Sequence, residues 1–141
     1  MAARSSSRRQ APTAPAAPAA PARSLWVVYL LGWLVPGGGH FWLGRWQKGL
    51  LFLVVLPAMF AFGLALEGRL FPFDASEPLV ALAAMANFGS GLPYFIARAL
   101  DAGAGRAVAV TYDYGNAFLI AAGLLNALVV IDAHDIALGR K

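Results

Sequence analysis

The residue best able to do chemistry in this sequence is His40, which directly follows a proline and three glycines at positions 36–39. A histidine titrates near neutral pH, so at a membrane boundary it could bind a metal, relay protons or sense pH. The alternative is structural, because a helix broken at proline and glycine frees backbone carbonyls that the imidazole can bind. We predict the structural role and keep His40 as a candidate for the functional one.

A second group of ligand-type residues lies near the end of the chain, at Asp132, His134 and Asp135. On a helix, positions 132 and 135 share a face, whereas position 134 points elsewhere. The only other histidine is His40, so a complete metal site would have to bring it across the membrane or from another protomer. We therefore interpret this stretch as a solvated helix leaving the membrane, and we predict no metal or cofactor.

The sequence contains no set of residues typical of an enzyme. Gly37, Gly38 and Gly39 could cradle a phosphate, but the Lys-Ser/Thr continuation of a P-loop is absent, so close backbone approach is the better interpretation. No serine–histidine–acid set or His-Glu-x-x-His motif is apparent, and the chain has no cysteine. We predict a protein that is not an enzyme.

Composition places these residues in a membrane. Apolar residues make up 60% of the 141 residues and charged residues only 13%, which is more apolar sequence than so small a soluble protein can bury. The net charge is +4, but four of the cations are arginines in the first 23 residues and the rest flank apolar segments. This pattern is typical of membrane topology and lipid attraction, and it argues against nucleic acid as a partner.

Four apolar segments follow a tail rich in alanine and proline, at residues 25–43, 50–66, 79–100 and 114–131. They predict an all-α integral membrane protein, a bundle of about four short transmembrane helices with a disordered N-terminal tail. The predicted parts are the tail at 1–24, a hairpin of two membrane helices at 25–66, and two further membrane helices with polar loops and a helix exit at 67–141.

The first segment decides between three and four membrane crossings. A continuous helix would place Trp26 and Trp46 about 30 Å apart, near the two headgroup levels. The spacing favours one spanning helix, kinked or locally unwound at residues 36–39. The alternative is a re-entrant or interfacial half-helix. Four crossings put seven cations inside and four outside, whereas three crossings give eight and three. We predict four crossings in a bacterial inner membrane, with both chain termini cytoplasmic.

Polar and small residues inside the apolar segments predict how the helices pack. Asn87 and Asn126 cost free energy in a membrane unless they are hydrogen-bonded, so we expect interhelical hydrogen bonds, with a polar translocation path as the alternative. Small residues four positions apart, such as Gly123 and Ala127, let helices approach closely.

A set of glycine, histidine, aromatic and basic positions surrounds the break: Gly37, Gly39, His40, Trp42, Leu43, Gly44, Arg45 and Gly49. In these positions the sequence resembles the two-transmembrane-helix domain family. It resembles more closely a group of small bacterial membrane proteins with a Pro-Gly-x-Gly-His core, through Pro36, Gly37, Gly39, His40, Trp42, Gly44, Lys48 and Gly49. It implies a helical hairpin and no particular reaction.

Two functions remain open. The first is a non-enzymatic membrane protein that interacts with, or scaffolds, other membrane components, as a homo-oligomer or with other membrane proteins. The second is a small oligomeric channel or transporter that uses Asn87, Asn126 and His40.

Overall fold

The computed structural model describes residues 22–140, with side chains from residue 25 onwards. Six helices occur in this part of the chain: α1 (Ala22–Leu34), α2 (Gly38–Trp42), α3 (Trp46–Ala65), α4 (Pro78–Gly89), α5 (Leu92–Ala99) and α6 (Tyr112–Ala137). The prediction of an all-α membrane protein is confirmed, because α3 and α6 are each long and apolar enough to cross a membrane. The tail predicted to be disordered lies, up to residue 21, outside the described residues.

Helices α3 and α6 lie antiparallel and form the spine of the fold. At one end, a Cβ atom added to Gly63 would lie 2.8 Å from Leu119 and 2.9 Å from the carbonyl oxygen of Gly115, so only glycine allows this approach. At the other end, Lys48 contacts Asp132. These are called the Gly115 end and the Asp132 end below.

Helices α1 and α2 form a hairpin that enters and leaves at the Asp132 end. Gly37 adopts the left-handed conformation (φ 81°), which reverses the chain after α1. A Cβ at Gly39 would lie 3.1 Å from the carbonyl oxygen of Val28, so α2 runs back along α1. Leu25 and Leu43 accordingly pack against one apolar cluster.

The predicted membrane span from Trp26 to Trp46, kinked or locally unwound at residues 36–39, is therefore wrong, because α2 folds back along α1. This path is that of the re-entrant alternative. The reason is the direction of the turn: Gly37 redirects the chain, whereas a proline kink alone would have let the helix continue.

Helices α4 and α5 form a second broken pair, bent by 105° at the break between them. The chain segments before and after the pair are hydrogen-bonded to each other, Leu70 N–H to Gly103 (2.8 Å) and Arg106 N–H to Glu67 (3.2 Å). Since Glu67 follows α3, the pair departs from the Gly115 end and returns to it. The described residues thus hold two helices that can cross singly, or three crossings if the bent pair counts as one, instead of four.

The tips of the two hairpins meet in the middle of the molecule. A Cβ added to Gly91, at the second break, would overlap the carbonyl oxygen of Trp33 at the end of α1. Next to this junction, a Cβ at Gly123 of α6 would overlap the carbonyl oxygen of Ala86 in α4. Backbone contacts of this closeness fix where the hairpins stop.

Candidate functional site

The candidate site is a cluster of three ionisable side chains at the Asp132 end, brought together by three helices. His40 from α2 lies 3.0 Å from the Asp132 carboxylate of α6 through its Nε2 atom, and Lys48 of α3 donates to the same oxygen at 3.1 Å. These three residues are called the His40 cluster. Charged groups within apolar helices are costly and mark function by default, so this is the first place to look for it.

The local sequence explains why His40 reaches α6. The turn at Gly37 folds α2 back, and at Gly39 the absence of a side chain lets α2 approach α6, since a Cβ there would lie 3.0 Å from Ala133. The imidazole is fully buried and packs against the ring of Phe52, with the ring centroids 5.2 Å apart. The glycines therefore serve close backbone approach, which places His40 beside Asp132.

Solvent access differs across the cluster. The side chain of His40 is fully buried, that of Asp132 is 20% exposed and that of Lys48 is 47% exposed. The carboxylate thus joins a buried imidazole to a cation at the surface. The Nδ1 atom of His40 has no hydrogen-bond partner among the described residues. The cluster thus holds a buried imidazole and an exposed ammonium, both within hydrogen-bond distance of one carboxylate oxygen.

The interpretation of His40 as a partner for freed backbone carbonyls is replaced by this pairing. Asn126 of α6, and not His40, binds the carbonyl groups freed at the breaks. Its side-chain amide donates to the carbonyl of Trp33 at 3.0 Å and to that of Gly89 at 2.9 Å. One fully buried asparagine therefore provides a hydrogen-bond donor to one carbonyl group in the last turn of α1 and to one in the last turn of α4.

The expected interhelical hydrogen bonds are made by Asn126, whereas Asn87 of α4 bonds the loop that precedes its own helix. The amide of Asn87 donates to the carbonyl of Arg69 at 3.4 Å, while the N–H of Arg69 donates to Asn116 at 2.7 Å. The side-chain oxygens of both Asn87 and Asn126 are buried and lack a partner among the described residues, as does the Ser90 hydroxyl. Polar atoms thus gather where the helices break.

The ligand-type residues near the chain end separate into two groups. Asp132 joins His40, which lies neither across the membrane nor on another protomer, because the α1–α2 hairpin returns to its own end. His134 stacks on Tyr29 with ring centroids 5.2 Å apart, and Asp135 pairs with Arg140 at 3.7 Å. Within the described residues, no group of three or more histidine, aspartate or glutamate side chains could hold a metal ion.

The remaining residues of the predicted motif divide between the turn and the surface. Pro36 is buried in the turn, and a Cβ at Gly37 would overlap the carbonyl of Gly49. A Cβ at Gly49 would lie 3.0 Å from the ring of Phe41, so the missing side chain at Gly49 lets α3 pack closely against α2. Trp42, Gly44 and Arg45 are exposed, next to the exposed Lys48.

Sequence reasoning missed the partners of the cluster and of the breaks. The link from Lys48 through Asp132 to His40 joins positions 84 and 92 residues apart. The signal that pointed to it was the cation count, which favoured a first segment that does not cross. Trp33, whose indole donates to the Phe88 carbonyl at 3.3 Å, and Asn116 carried no distinguishing signal.

A protein-family model, DUF6677, described as a family of unknown function, matches residues 27–141. The chain belongs to this family. The match covers α1 from residue 27 onwards, the other five helices and all three residues of the His40 cluster. No curated protein and no solved structure matches the chain.

Proposed function

We propose that this DUF6677 protein is a non-enzymatic multi-pass membrane protein that acts by associating with other proteins in the membrane. One observation carries the proposal: four aromatic side chains form a partly exposed surface where the two hairpins meet. We call this surface the aromatic patch, and it consists of Trp33, Phe73, Phe88 and Phe95.

The aromatic patch is ordered by its own contacts. Phe88 is its centre, with ring centroids 5.0 Å from Trp33, 5.7 Å from Phe95 and 6.2 Å from Phe73. The hydrogen bond from the indole of Trp33 to the Phe88 backbone holds α1 against α4 at this point. Phe73 is nevertheless 59% exposed and Phe95 41% exposed. Rigid aromatic rings that keep a free face are the residues that dominate protein interfaces.

Small residues support the same choice by elimination. Gly123 and Gly89 pack against each other inside the protein, where a Cβ at Gly89 would lie 3.0 Å from the Gly123 carbonyl. The predicted small residues Gly89 and Gly123 are therefore used for packing within the chain, whereas Ala127 is exposed. Association with a second copy or with another membrane protein has the aromatic patch as its natural surface.

Cysteine crosslinking in native membranes tests the proposal, since the chain has no cysteine of its own. Phe95→Cys, in the aromatic patch, should form adducts with a short bifunctional maleimide, and the adduct mass distinguishes a second copy from a different protein. Val54→Cys is the matched control, because Val54 is 59% exposed on α3 and belongs to no part of the patch. Equal crosslinking at the two positions would refute the proposal.

We further propose a location in the bacterial inner membrane with the Asp132 end in the cytoplasm. Arg45, Lys48 and Arg140 belong to this end, and Arg69, Arg98 and Arg106 to the other. Three of these cations thus belong to each end. The four arginines among the first 23 residues precede α1 or lie in its first turn, so they add to the cations on the side where α1 begins, the Asp132 end. The resemblance to the two-transmembrane-helix family, which predicted a hairpin near the same residues, stays a prediction.

A second candidate function, a small oligomeric channel or transporter, is favoured by the breaks in two hairpins that meet at Asn126. Discontinuous helices that end inside a membrane are where transporters bind ions and substrates. Asn87, Asn126 and His40 supply buried oxygen and nitrogen atoms without partners in the described chain. Liposomes containing the protein should then pass protons or small ions, and His40→Ala should change the flux. Tight liposomes would eliminate this function.

A further inference from the structure

A groove between α3 and α6 runs along the outer surface of the protein towards the Asp132 end. Its volume is about 450 Å³. Apart from Asp132, the lining side chains are apolar, four from α3 and three from α6: Leu51, Phe52, Val55, Leu56, Leu125, Leu128 and Val129. Because both helices are long enough to cross the membrane, the open side of this groove faces hydrocarbon.

The groove ends in charge. Asp132 is its terminal lining residue, and the Lys48 ammonium lies 3.1 Å from the Asp132 carboxylate. Lys48 also borders a second hollow of about 340 Å³, formed by the basic turn at residues 44–48, which includes Arg45 and Trp46. Lys48 therefore connects an apolar groove to a basic hollow beyond it.

The charges at this junction do not cancel. Arg45 and Lys48 bring two positive charges, the Asp132 carboxylate brings one negative charge, and His40 hydrogen-bonds that same carboxylate from inside the protein. Among the described residues, the other ionisable groups near this end of α6 contact one another: Asp135 lies 3.7 Å from Arg140 and 3.9 Å from His134. The hollow thus keeps an excess positive charge at its exposed side, where Arg45 lies.

We propose that the groove and the hollow together bind one anionic phospholipid, with an acyl chain along α3 and α6 and the phosphate between Arg45 and Lys48. A guanidinium and an ammonium are the groups that best bind a phosphate. Trp46, which is 70% exposed in the same hollow, is the residue type that sits at headgroup level. The apolar groove would hold the acyl chain, the two cations the phosphate, and the exposed indole of Trp46 would lie beside the headgroup.

The lipid site is separate from the aromatic patch. It is built from α3, α6 and the basic turn, whereas the patch is built from α1, α4, α5 and the segment before α4. A failure of protein association and a failure of lipid binding are therefore measured with different variants.

Native mass spectrometry of the full chain, released from nanodiscs of equal phosphatidylglycerol and phosphatidylcholine, tests the proposal. The wild-type protein should retain one phosphatidylglycerol in preference to phosphatidylcholine. Arg45→Gln should weaken that preference about fivefold, the effect of one cation near a membrane surface. Arg140→Gln, which removes a cation at the same end but outside the hollow, should leave the preference unchanged.

A paired substitution tests the groove. Val55→Trp fills it and should abolish retention of the lipid, whereas Val54→Trp changes a neighbouring residue of the same type outside the groove and should not. Circular dichroism verifies that both variants fold, and Lys48→Arg, which keeps the charge, should retain the lipid.

Glycerol 3-phosphate, offered alone, should not bind, since it has no acyl chain. Equal retention of the two lipids by the wild type, or binding of glycerol 3-phosphate alone, would overturn the proposal.

Discussion

At the scale of single residues, buried polar side chains in this protein join parts of the chain that are far apart in sequence. The Asn126 amide donates to backbone carbonyls at the ends of two helices, and the Asp132 carboxylate is hydrogen-bonded to both His40 and Lys48. In a membrane interior each such group would otherwise be left without a partner, at a cost of several kcal/mol. The most informative substitutions therefore remove one of these side chains.

Asp132→Ala should destabilise the protein by about 1.5–3 kcal/mol, the contribution of hydrogen bonds to a charged group that is partly buried. The substitution removes the side-chain contacts of α2 and α3 with Asp132 of α6, and it leaves the imidazole of His40 buried without its partner. Unfolding in bicelles measures the change. Asp135→Ala is the control on the same helix, because its exposed pair with Arg140 should contribute at most about 1 kcal/mol. Equal losses would contradict this account of the His40 cluster.

Asp74, in the loop before α4, makes a prediction about pH. The Ser76 hydroxyl (2.6 Å) and then the Ser76 N–H (2.9 Å) bind the Asp74 carboxylate and hold its pKa below its usual range. A carboxyl with a pKa lowered by folding stabilises the fold above its unfolded pKa, and that contribution is lost as pH falls through the folded pKa.

Ser76→Ala should accordingly raise the pKa of Asp74, because it removes the hydroxyl hydrogen bond, which lowers that pKa more than the backbone one does. A carboxyl-carbon NMR titration measures the shift directly. Ser76→Thr keeps the hydroxyl and should keep the lowered pKa, so a rise in both variants would show that another group controls Asp74.

At the scale of elements, glycine decides where each hairpin turns and how near its tip comes to the other. Gly37 and Gly91 both have positive φ angles, 81° and 68°, and both touch backbone atoms of another element. A side chain at either position meets two costs, a strained backbone and an overlap with a carbonyl group. The structure offers a position that separates the two costs.

Gly91→Ala should destabilise the fold more than Gly44→Ala, by about 1–3 kcal/mol, the usual cost of forcing atoms into a packed interior. Gly44 has a similar φ of 73° but no atom within 4 Å of an added Cβ, so its substitution adds backbone strain without overlap. Gly91 adds both the overlap and the further strain of its ψ of −128°. Unfolding of the two variants in the same bicelles gives the difference. A negligible difference would mean that the hairpin tips can move apart freely.

At the scale of the whole molecule, the apolar pattern predicts much of the fold but not the path of the chain. Uninterrupted apolar stretches correctly indicated α3 and α6, and the glycines and proline correctly located the first break. The direction taken after that break depends on the φ of Gly37 and on the space that Gly39 leaves beside Val28. Neither is encoded in hydropathy, so the pairing of His40 with Asp132 could not be predicted.

Single cysteines at positions 45, 76, 106 and 139, labelled from outside intact cells with an impermeant maleimide, test the path of the chain. Two crossing helices and two hairpins predict one pattern: Ser76→Cys and Arg106→Cys react, while Arg45→Cys and Gly139→Cys are protected. Four crossings would expose 45 and 106, and three would expose 76 and 139. Detergent permeabilisation, which should make all four positions react, is the control.

The place of Asn126 in the chain has a consequence for biosynthesis. Its two backbone partners precede it by 93 and 37 residues. At roughly 5–20 residues per second, Trp33 is therefore synthesised about 5–20 s before Asn126, whose side chain binds its carbonyl. The α1–α2 hairpin cannot reach its final state in the bilayer until the last helix enters. A nascent chain stalled before α6 should therefore remain a substrate for membrane quality-control proteases, however complete its first hundred residues are.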